Sequence, residues 1–284
     1  MVETKLPAVD LAKKKKLPGL WRTPVAIIIA LFHFIPLYIL FGVAFKAPED
    51  LSSRWVMPGY INTENFRVAI EKGGMSVAMA NNVIITLCSI LLITVLGALA
   101  AYPLSRNRTK LNGFVKAFIM GVMMVPPLSI LVPLYTNMSH MHGINTFWGI
   151  IVVLVTFQLP ISIFLFSNFI GGIPLALDEA ASIDGCGPLR TFFQIILPQL
   201  KPVIASVVII TGVNVWNDYQ FPLYLLQSPK MKTVTLAIAG FFSQSNSNIN
   251  AAAAAALLGI LPLVLLFLFL QKYFIKGMVD SAVK

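Results

Sequence analysis

The sequence predicts an all-α membrane protein with six transmembrane helices. Three observations carry that reading: a strongly apolar composition, six apolar runs of spanning length, and a one-sided distribution of lysine and arginine. Of the 284 residues, 57% are hydrophobic and only 11% charged, and the mean hydropathy is +0.83. Soluble domains carry about 25% charged residues, so this composition excludes a water-exposed globular surface. A hydrocarbon core roughly 30 Å thick takes about 20 apolar residues as a helix, because backbone N–H and C=O groups must be satisfied inside the segment.

Runs of that length fall at about 24–45, 80–103, 114–137, 147–171, 202–222 and 256–275. The first, TPVAIIIALFHFIPLYILFGVAF, is longer than the apolar core of a secretory signal and lacks a convincing small-x-small cleavage site, so it reads as a retained anchor, with a cleaved signal as the alternative. An even number of spans puts both termini on one side. That side receives 15 lysines and arginines, among them Lys5, Lys13–Lys16, Arg22, Lys272, Lys276 and Lys284, against 6 on the other. Basic residues are retained in the cytoplasm, so both termini are expected to be cytoplasmic. Residues 1–23 then form a basic cytoplasmic leader ahead of a membrane domain over 24–284.

The net charge of +10 lies mostly on this face, beside anionic lipid, and points to topology with no nucleic-acid partner. Cys88 and Cys186 fall in different compartments by this topology, which disfavours a disulfide or thiolate cluster. His140 and His142 share a short external turn without further ligands, so no metal site is expected. His33, alone in the first span, is expected to bond between helices, with a proton relay as the alternative. The external segment 46–79 carries a Pro58-Gly59 turn and a short helix from Asn65 to Ile70, and is long enough to meet an external partner.

The one long cytoplasmic connection, about 172–201, carries IPLALDEAASIDGCGPLRTFFQIILPQLK. Its pattern predicts two short helices. Pro174 stands near the start of the first, Asp178 and Glu179 add charge that the helix dipole favours, and Gly185 and Gly187 end it. Pro188 opens the second and Pro198 closes it. Ala181 and Gly185, four apart, are expected to share a face that a partner backbone can approach closely. Asp178, Glu179 and Asp184 are acids on a basic side that a cationic partner pocket would select. A solvated amphipathic helix resting on the membrane accounts for the same pattern.

Polar residues inside the spans are few. Asn81 and Asn82 open the second, Gln158 and Asn168 lie in the fourth, and Asn214 to Gln220 crowd the fifth. Amides exchange hydrogen bonds with hydroxyl groups, and an aromatic face stacks on the C–H face of a pyranose. Asn82, Gln158, Asn214, Trp216, Asn217 and Tyr219 are therefore candidate contacts along a substrate path, with Asn217 leading. Helix-to-helix bonding and interfacial anchoring account for the same residue types. Asn214 and Asp218 are expected on one helix face, and Pro126, Pro127, Pro133 and Pro160 are candidate kinks. A GxxxxGK[ST] loop is absent from the sequence, so the chain carries no ATP chemistry of its own and is no enzyme. An ion-gradient-driven carrier would rest on the single acid Asp218, without an internal repeat.

Glu179-Ala180-Ala181, followed at fixed spacing by Gly185, Ile195 and Leu197-Pro198, resembles the EAA signature of ABC importer permeases. The likeness extends over most of 24–284 and is nearest to the maltose-type carbohydrate-uptake family, through LGALAAYPLSR, VPPLSILVPLY, WNDYQFPL and QKYFIKGMVDSAVK. Cys186 departs from it, standing where that branch usually has Ala. The resemblance implies a type I ABC importer permease architecture in a bacterial or archaeal inner membrane. It further implies that Glu179, Ala180, Ala181, Asp184, Gly185, Leu197 and Pro198 form a coupling site for an ATPase subunit. The implied partners are a second homologous permease in a heterodimer, two ATP-binding subunits holding ATP and Mg, and an extracytoplasmic solute-binding protein. The implied substrate is a sugar or oligosaccharide, with a polyol or glycerol-phosphate compound as the alternative.

Overall fold

The computed structural model describes residues 21–242 and 248–282, with residue 22 and residues 272–282 as backbone alone. Most of the basic leader, with Lys5 and Lys13–Lys16, lies outside the described residues, as do Lys284 and the side chains of Arg22, Lys272 and Lys276. Every described element is helical.

Helix α1 (Arg22–Phe45) accounts for the first predicted span. The chain then folds around Lys46, which is only 3% exposed; its ammonium donates to Ser52 O, Ser52 Oγ and Ser53 O at 3.2, 2.7 and 2.7 Å. A buried cation is tolerated only when its donors are satisfied in this way. The predicted surface helix is α2 (Glu64–Glu71), fastened by the buried Asn65 amide, which donates to Ala44 O and Lys46 O.

Helix α3 (Met75–Arg106) runs for 32 residues, overshooting the predicted 80–103 at both ends. The third predicted span is broken. Helix α4 (Lys110–Val122), capped by the Thr109 hydroxyl, turns through Pro126 and a tight turn at Pro127–Ile130 into α5 (Leu131–His140) at 92°. Two adjacent prolines remove two donors and hold Pro126 extended, so the helix cannot continue. By contrast α6 (Phe147–Gly171) carries Pro160 without interruption.

After α6 comes α7 (Ala176–Ile183), then α8 (Pro188–Thr191). The sequence expectation that Pro198 closes a second short helix is corrected here. α8 passes through a widened turn at Phe192–Ile196 and a tightened one at Leu197–Leu200 into α9 (Lys201–Trp216), giving one 29-residue run from Pro188 to Trp216. Pro198 and Pro202 lack N–H groups, and changes of helical pitch absorb the missing bonds without ending the helix. The run stops at Trp216 and not at 222, because α10 (Gln220–Leu225) starts anew with Asp218 Oδ1 accepting from Phe221 N at 3.0 Å. Then follow α11 (Val234–Ala239) and α12 (Ile249–Ala282), whose first turns are the alanine run, as expected, although it begins seven residues before the predicted 256.

Among the described residues, five helices are long and apolar enough to cross a membrane, or six if α4 and the bent α5 segment count as one span. α3 is central, lying along α6 and against α9, while α12 packs on α1 and α9. Gly97 lets α3 approach α6 at Ser162, whose Oγ donates to Ile93 O at 3.1 Å; a Cβ at Gly97 would meet that hydroxyl. Small residues and polar ties of this kind hold helices together where lipid removes the hydrophobic incentive.

Candidate functional site

The hairpin formed by α7 and α8 is short because its sequence stops it sharply. Asp184 ends α7, Gly185 adopts φ +76°, Gly185 N donates to Ser182 O, and Cys186 N donates to Ala181 O at 2.9 Å. That pair of crossed bonds is a complete Schellman cap, which needs a left-handed residue at the Gly185 position. A Cβ at Gly185 would have open space around it, so glycine is required there by conformation and not by crowding.

The shared face expected of Ala181 and Gly185 does not form. Ala181 is 2% exposed, turned into its own chain, while Gly185 lies beyond the helix end. The acids also divide. Asp178 points inward, with Oδ2 2.8 Å from Arg106 Nη2 at the end of α3 and Oδ1 accepting from Tyr102 OH at 2.7 Å. Arg106 Nη1 donates to Ile170 O and Ile173 O, at 3.2 and 3.0 Å, so one guanidinium joins α3, the end of α6 and α7. The Tyr102 ring packs on Phe192, 5.3 Å between centroids, which carries the link to the α8–α9 run. A cavity of about 470 Å³ opens beside this cluster, lined by Arg106, Asp178, Cys186 and Leu189 among others.

Glu179, Ala180, Asp184 and Gly185 are exposed, Pro198 is exposed and Leu197 half-buried. Between them stand two apolar side chains that the sequence reading passed over, Ile183 at 87% and Leu189 at 71% exposure. The signal for them was available: each is an apolar residue beside a helix-ending glycine pair. The Arg106–Asp178 pair was also missed, although Tyr102 and Arg106 are four apart, on one face of α3 at the same end as the hairpin.

The polar residues of the spans separate into two groups. Asn82 and Trp216 are 2% and 4% exposed and tie helices together: Asn82 donates to Trp216 O at 3.1 Å, and the Trp216 indole donates to Gly259 O at 3.0 Å. Asn81 likewise donates to Lys230 O and Lys232 O. Asn214, Asn217 and Tyr219 are exposed; Asn214 donates to Gln158 Oε1 at 3.1 Å, and Asn217 to Val213 O of its own helix. Because α9 ends at Trp216, Asn214 and Asp218 do not share a helix face. Asp218 caps α10 just past the span, where burial pushes its carboxyl up to about 6, the bond from Phe221 N opposing. His33 Nδ1 donates to Ile29 O of its own helix, not across to another.

The family described as the inner membrane component of binding-protein-dependent transport systems matches residues 93–280, which contain both the hairpin and the polar end of α9. The melibiose/raffinose/stachyose import permease protein MelC of Bacillus subtilis (strain 168) is 46% identical over 263 residues, 92% of this chain and 95% of MelC. The probable starch degradation products transport system permease protein AmyC of Thermoanaerobacterium thermosulfurigenes is 30% identical over 92% of this chain and 96% of AmyC. A solved bacterial ABC transporter involved in the import of the acidic polysaccharide alginate shares the fold, with a TM-score of 0.75 over 90% of this chain and 96% of that chain at 20% identity. By the extent of these matches the chain belongs to the family of inner membrane components of binding-protein-dependent transport systems.

Proposed function

We propose that this chain is one of two homologous permease halves of an ATP-driven sugar importer and that the α7–α8 hairpin is where it couples to an ATPase subunit. The observation that carries the reading is the hairpin itself: a stiffly capped, exposed tip whose base is pinned by Asp178 to Arg106. A tip free to flex would dissipate a partner's motion. This one moves with the end of α3, and through α8 it continues into α9. At about 1.5 Å per residue, the Pro188–Trp216 run makes a lever of roughly 40 Å between the hairpin and the amides near Trp216.

In this mechanism Glu179 and Asp184 offer charge to a basic groove, while Ile183 and Leu189 fill it. ATP and Mg are held by two partner subunits, whose closure shifts the groove and tilts the spans between inward- and outward-facing states. The hairpin and both termini face the cytoplasm, and an extracytoplasmic binding protein delivers substrate to the opposite end. Asn214, Asn217 and Tyr219, exposed on this chain alone, and the half-buried Gln158 contribute to the path once the second permease closes it. The identity to MelC favours short oligosaccharides such as melibiose and raffinose over polyols or glycerol-phosphate compounds.

The test is raffinose uptake into proteoliposomes holding this chain with its partner permease, ATPase and binding protein. Uptake is expected to require ATP, and Gly185→Trp is expected to abolish it while leaving the chain in the membrane. Uptake that survives without ATP and collapses with the proton gradient would overturn the reading.

A further inference from the structure

A groove outside the proposed coupling site runs between α3, α4 and α6. At the end nearest the α3–α4 turn it opens into a cavity of about 500 Å³ with a mainly polar lining that includes Arg108, Lys116, Ser167 and Asn168. The cavity lining contains no acid, and among the described residues neither Arg108 nor Lys116 has a carboxylate within 4.0 Å. Ser167 Oγ is sealed from solvent and has no hydrogen-bond partner among the described residues. Buried hydroxyls are ordinarily paired, so this donor is free, as are those of Thr86, Ser89 and Thr94 elsewhere in the bundle. Of the other two amides in the cavity, Asn107 and Asn112, the second is already committed to Pro103 O and Asn107 O.

Deeper along the same three helices lies a second cavity, of about 470 Å³, lined almost wholly by apolar side chains such as Leu96, Phe118, Val122, Val152 and Ile163. On α6 the two linings are one helical turn apart, Ile163 to Ser167, about 6 Å along the axis. Two positive charges and free donors therefore sit at the mouth, with an apolar trough continuing from them along the spans. Free phosphate would use only the mouth. An anionic lipid matches both parts, and basic pockets between membrane helices select such headgroups.

We propose that this groove binds an anionic glycerophospholipid, its phosphate held by Arg108, Lys116 and Asn168 and an acyl chain lying along Leu96, Phe118 and Val122. The inference rests on the membrane fold and not on the sugar or coupling assignment. The complete transporter, purified and delipidated in detergent, is titrated with phosphatidylglycerol, phosphatidylcholine or inorganic phosphate while thermal unfolding and lipid retention in native mass spectrometry are followed. Phosphatidylglycerol is expected to raise the unfolding midpoint and remain bound, whereas the other two have little effect. Arg108→Gln/Lys116→Gln is expected to weaken phosphatidylglycerol binding about tenfold, and Arg108→Lys/Lys116→Arg to retain it, which separates charge from folding damage. A photo-cross-linker at Val122 is expected to label lipid. Equal responses to the two lipids, a full response to inorganic phosphate, wild-type retention by the Gln double variant, or cross-linking of Val122 to the second permease would each overturn the proposal.

Discussion

Asp178 on α7 and Arg106 at the end of α3 form an ion pair, 2.8 Å between Oδ2 and Nη2, with both side chains nearly withdrawn from solvent. Breaking a buried pair by neutralising one member strands the other charge, at about 3–5 kcal/mol. Asp178→Asn keeps an acceptor for Tyr102 OH and removes only the charge. It is expected to lower the thermal unfolding midpoint and cut uptake severalfold. Arg106→Met with Asp178→Met leaves no stranded charge, so it is expected to regain stability, yet not uptake, because Ile170 and Ile173 lose the guanidinium that fixes them to α3. Thermal unfolding and transport on the same preparations check both; full uptake in the double variant would make the pair a packing feature only.

At Gly185 the expected cost is local. A left-handed L-residue is unfavourable by about 1–2 kcal/mol, and Asn tolerates the conformation better than Ala. No atom crowds the position. Gly185→Ala is therefore expected to reduce sugar-stimulated ATP hydrolysis with little change in the unfolding midpoint, and Gly185→Asn to fall between Ala and wild type. A large loss of global stability in Gly185→Ala would contradict the isolation of the cap.

Much of this architecture was legible because a membrane span must satisfy its own backbone, which makes apolar run length a direct signal. α1 and α6 match their predicted limits closely for that reason. The reading of proline held at the third span and failed at Pro198. Pro126-Pro127 breaks the third span, whereas Pro160 does not interrupt its helix and Pro198 sits inside a run that changes pitch to keep it. A proline's effect depends on whether neighbouring turns can tighten or widen, and that is set by packing. The hairpin's cap was readable from Gly185, since few residues adopt positive φ. Which of its acids faces outward was not, because Asp178 and Glu179 are adjacent and only the position of Arg106 on another helix decides between them.

Among the candidate path residues, burial separates two outcomes. Asn82→Ala removes the donor to Trp216 O from inside the bundle and leaves that carbonyl unpaired, at about 1–3 kcal/mol. It is expected to lower the unfolding midpoint. Asn217→Ala removes an exposed amide bonded only within its own helix and is expected to leave the midpoint within experimental scatter. If Asn217 faces sugar, its variant raises the apparent KM for uptake at unchanged protein level; if KM is unmoved, the path does not pass Asn217.

Asp218 gives the fold a pH dependence whose sign follows from burial. Its carboxyl is raised from 3.8 to about 6 because the folded chain disfavours the charged form, the bond from Phe221 N offsetting only part of that. Folding therefore favours the protonated acid. The associated stability is fully present below about pH 4 and is lost as pH rises through about 6, a change of up to about 3 kcal/mol. Asp50 works in the opposite sense and in another window. Hydrogen bonds from Ser52 and Tyr60 lower its carboxyl to about 2, so its contribution is present above about pH 4 and is lost as pH falls through about 2. Between pH 4 and 7 the slope assigned to Asp218 is thus separable from that of Asp50. Asp218→Asn keeps an oxygen to accept from Phe221 N while removing the titration. Its unfolding midpoint is expected to stay flat from pH 4 to 7, relative to a wild type that falls; an unchanged slope in the variant would place the titrating group elsewhere.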